Sequence, residues 1–146
     1  MLLPEQRSAQ AASRRNSGGS RAILALGARQ LACADQTRAS HRSLSHGADI
    51  LLAADCTPFA YADFHRHLLP GKALLVGCPK LDDAEYYIEK LASILRAALP
   101  RSLTVVRMEV PCCRGLMYIA QEAIKRAGLA LGVREIVIGI DGTRKD

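Results

Sequence analysis

The sequence predicts a small α/β domain between about Gly47 and Gly142, a three-layer sandwich with a mostly parallel sheet of about four strands. Short apolar segments alternate with segments of helical periodicity, which is typical of strands joined by crossover helices. The apolar segments are continuous, as expected of strands buried on both faces. A length of 146 residues with a 49% hydrophobic share suits one folded domain.

Four segments rich in Val, Ile, Leu and Ala are the predicted strands. They are Asp49 to Ala54, Ala73 to Gly77, Leu103 to Val106 with an extension to Val110 left open, and Glu135 to Ile140. Each is far shorter than the apolar run of about 18 residues that crosses a bilayer. The sequence therefore predicts no membrane span.

Helices are predicted between the strands. A short helix around Ala60 to Leu69 links the first two strands, and a third helix runs from about Cys113 to Ala127 with Gly128 as its C-terminal cap. The buried stripe of the third helix is predicted to comprise Leu116, Ile119, Ala120, Ala123, Ile124 and Ala127.

The second helix has the clearest signals. Asp82 is predicted to cap its free amide groups, with Glu85 reaching back and Leu81 packing on Tyr86. Pro100 ends it because proline cannot continue the helical hydrogen-bond ladder. The apolar face is predicted to comprise Leu81, Ala84, Ile88, Leu91, Leu95 and Ala98.

The positive charge lies mostly before the predicted domain. The net charge is +6, but residues 1–46 hold seven Arg against Glu5 and Asp35, so residues 47–146 carry only +1. This charge distribution argues against nucleic-acid binding by the domain. The first 46 residues are predicted to form a basic, disordered or irregular arm, and their Arg-rich, Ser-rich composition also fits an organelle transit peptide. No secretory signal is apparent, so reduced thiols and a cytoplasmic location are predicted.

Four of the five cysteines follow predicted strands. Cys56 follows the first strand, Cys78 the second, and Cys112 and Cys113 the third, whereas Cys33 lies in the arm. The carboxyl ends of parallel strands meet at one edge of a sheet, where ligands bind. Four thiolates there would complete a zinc site or hold a four-iron cluster. A structural role as small buried side chains is the alternative, because free cysteine is among the most buried residue types.

Several motifs together resemble the C-terminal half of bacterial and archaeal ferredoxin-type 4Fe-4S iron–sulfur proteins. They are Ala48 to Cys56 (ADILLAADC), Asp63-Phe64-His65, Gly77 to Asp83 (GCPKLDD) and Met108 to Leu116 (MEVPCCRGL). In that family an N-terminal ferredoxin module with C-x2-C-x2-C-x3-C-P runs carries the clusters, and this sequence has no such run. The resemblance therefore implies an accessory domain, with residues 1–46 produced by a truncated or frame-shifted reading of the gene.

The sequence thus predicts a redox protein more readily than a stand-alone enzyme. The first hypothesis is electron transfer with a ferredoxin module or another redox partner, with Cys56, Cys78, Cys112 and Cys113 as ligands of a 4Fe-4S cluster or, as second choice, zinc. A domain that docks a ferredoxin module or subunit and binds no cofactor is the alternative. A third hypothesis is thiol redox chemistry at Cys112-Cys113, although adjacent cysteines form a strained disulfide ring. The oligomeric state is left open.

Overall fold

A computed structural model describes residues 46–145 and shows an α/β fold, so the predicted fold class is confirmed. Its four strands are all parallel, in the order β2-β1-β3-β4. They are β1 (Asp49–Ala54), β2 (Lys72–Gly77), β3 (Ser102–Met108) and β4 (Val133–Ile138). The helices are α1 (Thr57–Ala60), a π-helix (Phe64–Leu68), α2 (Ala84–Ala98), a 3₁₀ turn (Pro111–Arg114) and α3 (Gly115–Ala127). The arm predicted over residues 1–46 lies outside the described residues, except for His46.

The central strand β1 forms as predicted. Its residues from Ile50 to Ala54 are buried because neighbouring strands and the layers on both faces cover them. β4 ends two residues earlier than predicted. Beyond Ile138 the chain turns, with the Gly139 amide donating to the Thr143 carbonyl, and Arg144 returns to pair with Ile138. Ile140, predicted to be in the strand, is therefore 77% exposed.

The helices are divided between the two faces of the sheet by the strand order. The chain passes from β1 to β2 in one direction, and from β2 through β3 to β4 in the other. Right-handed crossovers then place α2 and α3 together on one face and the β1–β2 connection on the opposite face. α2 and α3 pack against each other, and Arg126 of α3 pairs with Glu85 and Glu89 of α2.

The first connection differs from the single predicted helix over Ala60 to Leu69. Pro58 stands in the first turn of α1, where a missing amide hydrogen costs nothing. Tyr61 is extended and ends this helix after one turn, and the π-helix starts again at the fully buried Phe64. The prediction of one continuous helix was wrong because Tyr61 adopts a strand-like conformation.

The start of α2 was also predicted wrongly by one residue. Asp83 is the N-cap, and its Oδ1 accepts a hydrogen bond from the Tyr86 amide at 2.9 Å. Asp82 instead accepts from the Cys78 amide at 2.7 Å, which tightens the preceding turn. Leu81 and Tyr86, predicted to pack on each other, are 77% and 48% exposed, so they do not form a buried contact.

The C-terminal cap of α3 is as predicted. Gly128 has a φ of 70°, and its amide donates to the Ile124 and Lys125 carbonyls. All of the predicted α3 stripe is buried except Ala127, which packs partly buried against the core. Among residues 46–145, every helix is too short or too polar to cross a membrane.

Candidate functional site

The chain reverses its direction across the sheet between β1 and β3. The loop after β1 leads to β2 on one side, and the loop after β3 leads to β4 on the other. In open α/β sheets such a switch point leaves a crevice at the carboxyl ends of the two strands. The segments that carry Cys56 and Cys113 leave β1 and β3 at this position.

Cys56 and Cys113 meet at this switch point. Their Sγ atoms lie 4.0 Å apart, although 57 positions separate the residues in sequence. Cys56 is exposed and Cys113 is buried, with 3% of its surface accessible. The pair thus consists of one exposed thiol and one buried thiol that lies against it.

Local hydrogen bonds fix the position of Cys56. The Thr57 hydroxyl donates to the Ala54 carbonyl at 2.7 Å, which holds the chain as it leaves β1. The Cys56 carbonyl then accepts from the Phe59 and Ala60 amides and starts α1. The loop is short because Pro58 already has the φ that the first helical turn requires.

Cys113 is held by the turn that leads into α3. Its amide donates to the Val110 carbonyl at 3.2 Å, and the fully buried Leu116 anchors the first turn of the helix. Gly115 packs so closely on Pro79 that an added Cβ would lie 2.9 Å from the Pro79 Cβ. The loops after β2 and β3 therefore support each other and restrict the buried thiol.

The surroundings of Cys113 favour its neutral form. Burial raises the pKa of the Cys113 thiol to about 11, and the nearby Cys56 and Cys112 thiols act in the same direction, against a lowering contribution from a backbone hydrogen bond at Met108. Since the thiolate is the nucleophile of sulfur chemistry, the raised pKa and the burial of Cys113 both disfavour its attack on outside reactants at neutral pH.

The other two predicted site cysteines occupy the same edge. Cys78 is half-buried in the turn after β2, where its carbonyl accepts from the Leu81 and Asp82 amides. Cys112 is exposed and precedes Cys113 in the 3₁₀ turn. No set of three or more Cys, His, Asp or Glu side chains within residues 46–145 is grouped closely enough to hold a metal ion. The structure brings Cys56 and Cys113 together, and a shared site of all four cysteines stays a prediction. Cys33 lies outside the described residues.

Tyr87, a buried phenol at the same edge as Asp55 and Asp82, was not identified from the sequence. Burial and the Asp82 carboxylate raise the pKa of Asp55, and burial with both carboxylates raises the pKa of Tyr87. The Tyr87 side chain is 7% exposed and covers Gly77, where an added Cβ would lie 2.5 Å from its hydroxyl oxygen. A glycine at the end of a buried strand was the available signal, because it marks a close approach of another group.

The β1 loop lacks the features of a nucleotide phosphate cradle. It reads Asp55-Cys56-Thr57-Pro58, without the glycines that let a pyrophosphate approach the backbone. Thr57 uses its hydroxyl on the Ala54 carbonyl, and Pro58 has no amide hydrogen to donate. The Cys56 and Cys113 sulfur atoms lie at this position instead.

Comparisons with known proteins agree with the observed fold. The model of a Rossmann-like domain family matches residues 43–145. An uncharacterized protein of Archaeoglobus fulgidus is 30% identical over 96 residues, which cover 66% of this chain and 67% of that protein. No solved structure matches the chain. The family shown is Rossmann-like and not ferredoxin-type, so the predicted membership of the iron–sulfur family was wrong.

Proposed function

Because the chain belongs to the Rossmann-like domain family, in which the carboxyl edge of the sheet is the expected reaction site, we propose that it is a thiol–disulfide redox domain. Cys56 and Cys113 alternate between a dithiol and a disulfide. The observation that carries this proposal is the 4.0 Å separation of their Sγ atoms, one exposed and one buried. A disulfide bond is about 2.05 Å long, so the sulfurs need to approach by about 2 Å.

The first step uses the exposed thiol. The Cys56 thiolate attacks one sulfur of a substrate disulfide, and the substrate S–S bond breaks. One substrate sulfur remains bonded to Cys56 as a mixed disulfide, and the other leaves as a thiolate that takes up a proton. Cys56 performs this step because Cys113 is buried and protonated.

The second step uses the buried thiol. Cys113 loses its proton and attacks the Cys56 sulfur, which forms the Cys56–Cys113 disulfide and releases the second substrate thiol. Two electrons and two protons pass from the domain to the substrate, and one disulfide is exchanged for another. The domain returns to the dithiol form by the reverse exchange with a dithiol reductant.

The same distance also favours a second candidate, the predicted metal or iron–sulfur centre. Zinc–sulfur bonds of about 2.3 Å in a tetrahedral site place two sulfurs about 3.8 Å apart, close to the separation in this pair. Cys78 and Cys112 on the adjoining loops are the further ligands in this candidate, and electron transfer with a redox partner is its function. A tetrahedral site would require these two thiols to move toward the pair.

A redox titration separates the two candidates. Purified protein is equilibrated in mixtures of reduced and oxidised dithiothreitol, and its disulfides are located by peptide mass mapping. We expect a two-electron transition that links Cys56 to Cys113. A protein that stays fully reduced in the most oxidising mixture would exclude the redox proposal.

The metal candidate is tested on the same preparation. The reduced protein is supplied anaerobically with zinc, and separately with iron and sulfide, and then freed of unbound metal. Stoichiometric metal that is lost in Cys78→Ser and Cys112→Ser would favour the four-cysteine centre. If the protein binds no metal and still shows the two-electron redox transition of Cys56 and Cys113, the dithiol function would be favoured.

A further inference from the structure

The carboxyl edge of the sheet also carries most of the exposed large apolar side chains. Six such side chains are found among residues 46–145, and five of them belong to loops or first helical turns at this edge. These five, the apolar rim, are Phe59, Leu81, Tyr86, Tyr118 and Ile140. The sixth, Leu99, lies at the opposite edge before β3.

Phe59 lies three residues after the exposed Cys56. It is 91% exposed, and its amide donates to the Cys56 carbonyl across the first turn of α1. Cys56 is the N-cap of α1 and Phe59 its third residue, so the two lie within one helical turn of each other. The Phe59 ring is therefore an exposed apolar group close in the chain to the Cys56 thiol.

The segments that carry the rim touch one another. Gly142 approaches Ala60 so closely that an added Cβ would lie 2.8 Å from the Ala60 carbonyl oxygen, which joins the segments of Ile140 and Phe59. The contact of Pro79 with Gly115 joins the loop of Leu81 to the start of α3, one turn before Tyr118. The rim segments are thus linked in two places at the edge of the sheet that holds the thiol pair.

Resting on the proposed thiol–disulfide function, we propose that the substrate is a polypeptide disulfide flanked by apolar side chains. Aromatic side chains offer about 150–250 Å² each when fully exposed, so the three aromatic and two aliphatic rim residues, each partly exposed, together present an area on the order of 600 Å². This approaches the roughly 800 Å² that each partner contributes to a standard protein interface. A small disulfide compound covers only a fraction of that surface, whereas a peptide segment on each side of the reacting sulfur covers much of it.

The test compares two synthetic peptides of equal length, each closed by one disulfide. Phe and Leu flank the cysteines of one peptide, and Ser and Gln flank those of the other. All four flanking residues are uncharged, so the two peptides carry the same net charge. The full chain in its dithiol form is expected to reduce the apolar peptide about tenfold faster, equivalent to about 1.4 kcal/mol. In the double variant Phe59→Ser with Ile140→Ser, the ratio of the two rates is expected to fall close to one.

The matched control is Leu99→Asn, which removes the exposed apolar side chain at the opposite edge. Leu99 has a φ of 42°, a conformation that Asn tolerates, and the rate ratio should stay at the wild-type value. The small neutral bis(2-hydroxyethyl) disulfide serves as a probe of the thiols alone in the wild-type chain.

The outcomes distinguish this inference from the function on which it rests. Wild-type protein that reduces the small probe but treats both peptides equally would overturn the apolar substrate and leave the redox function. Concentration-dependent dimerisation that Phe59→Ser with Ile140→Ser abolishes would assign the rim to a second copy of the chain, and overturn the inference as well. Failure to exchange with the peptides and the probe would remove the redox function itself.

Discussion

The two edges of the sheet are built differently. At the amino edge, Asp49 accepts hydrogen bonds from the Ser102 hydroxyl at 2.7 Å and from Arg101 at 2.8 Å. Backbone bonds from Gly47 to Ala98 and from Arg101 to Ala48 close the adjoining turns. At the carboxyl edge, the Cys56 and Cys113 thiols lie 4.0 Å apart without a disulfide bond. Large apolar side chains at the same edge are exposed to solvent.

This difference separates stability from chemistry. Polar groups at the amino edge are paired with each other, which suits a region that only has to hold the strands together. The carboxyl edge retains exposed groups whose burial or reaction with another molecule would be favourable. Changes at the carboxyl edge should therefore alter reactivity and local packing most, and changes at the amino edge should have smaller effects on stability.

The largest effect is expected from the buried thiol. In Cys113→Ser the mixed disulfide on Cys56 has lost its internal attacking sulfur, so its lifetime should rise by more than about a hundredfold. Mass spectrometry of the protein after reaction with a disulfide peptide measures this lifetime. Cys112→Ser is the control and should release the peptide at the wild-type rate. If Cys112→Ser traps the adduct instead, the pairing of Cys56 with Cys113 is wrong.

The next effect is on packing at the carboxyl edge. Gly77→Ala places a methyl group against the buried Tyr87 ring, where the Cβ would lie 2.5 Å from the hydroxyl oxygen, and should cost about 1–3 kcal/mol of unfolding free energy. Gly132→Ala, just before β4, meets nothing within 4 Å and serves as the matched control at the amino edge. Urea unfolding of both variants checks the comparison. An equal loss in both would show that the crowding around Gly77 is relieved at little cost.

The sequence predicted the edge of the site but not the pair within it. β1 was predicted to the residue because one continuous apolar segment is followed directly by Asp55. Cysteines after three strands could be assigned to one edge because parallel strands end together. Which sulfurs meet depends on how the loops after β1 and β3 fold over the strand ends, and tertiary contacts decide that.

The misplaced boundaries have a similar cause. β4 could have ended at Ile138 or at Ile140 by hydrophobicity alone, and the turn from Gly139 to Thr143 decided between them. Asp82 and Asp83 are equally good caps by residue type. Asp82 is used by the Cys78 amide, so Asp83 caps α2. The exposed Phe59 was missed because a four-residue helix gives no periodic pattern from which to infer its face.

Alkaline pH should weaken the reduced fold through the same buried thiol. The pKa of Cys113 is raised from the ordinary 9.0 to about 11, so the unfolded chain ionises at lower pH than the folded one. The stabilisation is fully present below about pH 9 and is lost as the pH rises toward 11. Thermal unfolding of Cys113→Ser under reducing conditions should depend less on pH in this window than that of the wild type. Parallel curves for the two proteins would contradict the raised pKa.

The smallest effect is expected at the amino edge, in acid. Hydrogen bonding from Ser102 is the main cause that lowers the pKa of Asp49, with Arg101 adding to it. A lowered pKa stabilises the fold above the ordinary carboxyl value of 3.8 and loses that contribution as the pH falls further. Ser102→Ala should move the pKa of Asp49 upward, as measured by NMR titration of its carboxyl carbon, with little change in the thiol titration. Ser102 and the thiols lie at opposite ends of the strands, so they are not in contact. If Ser102→Ala also changed the redox transition of Cys56 and Cys113, the two edges would be coupled.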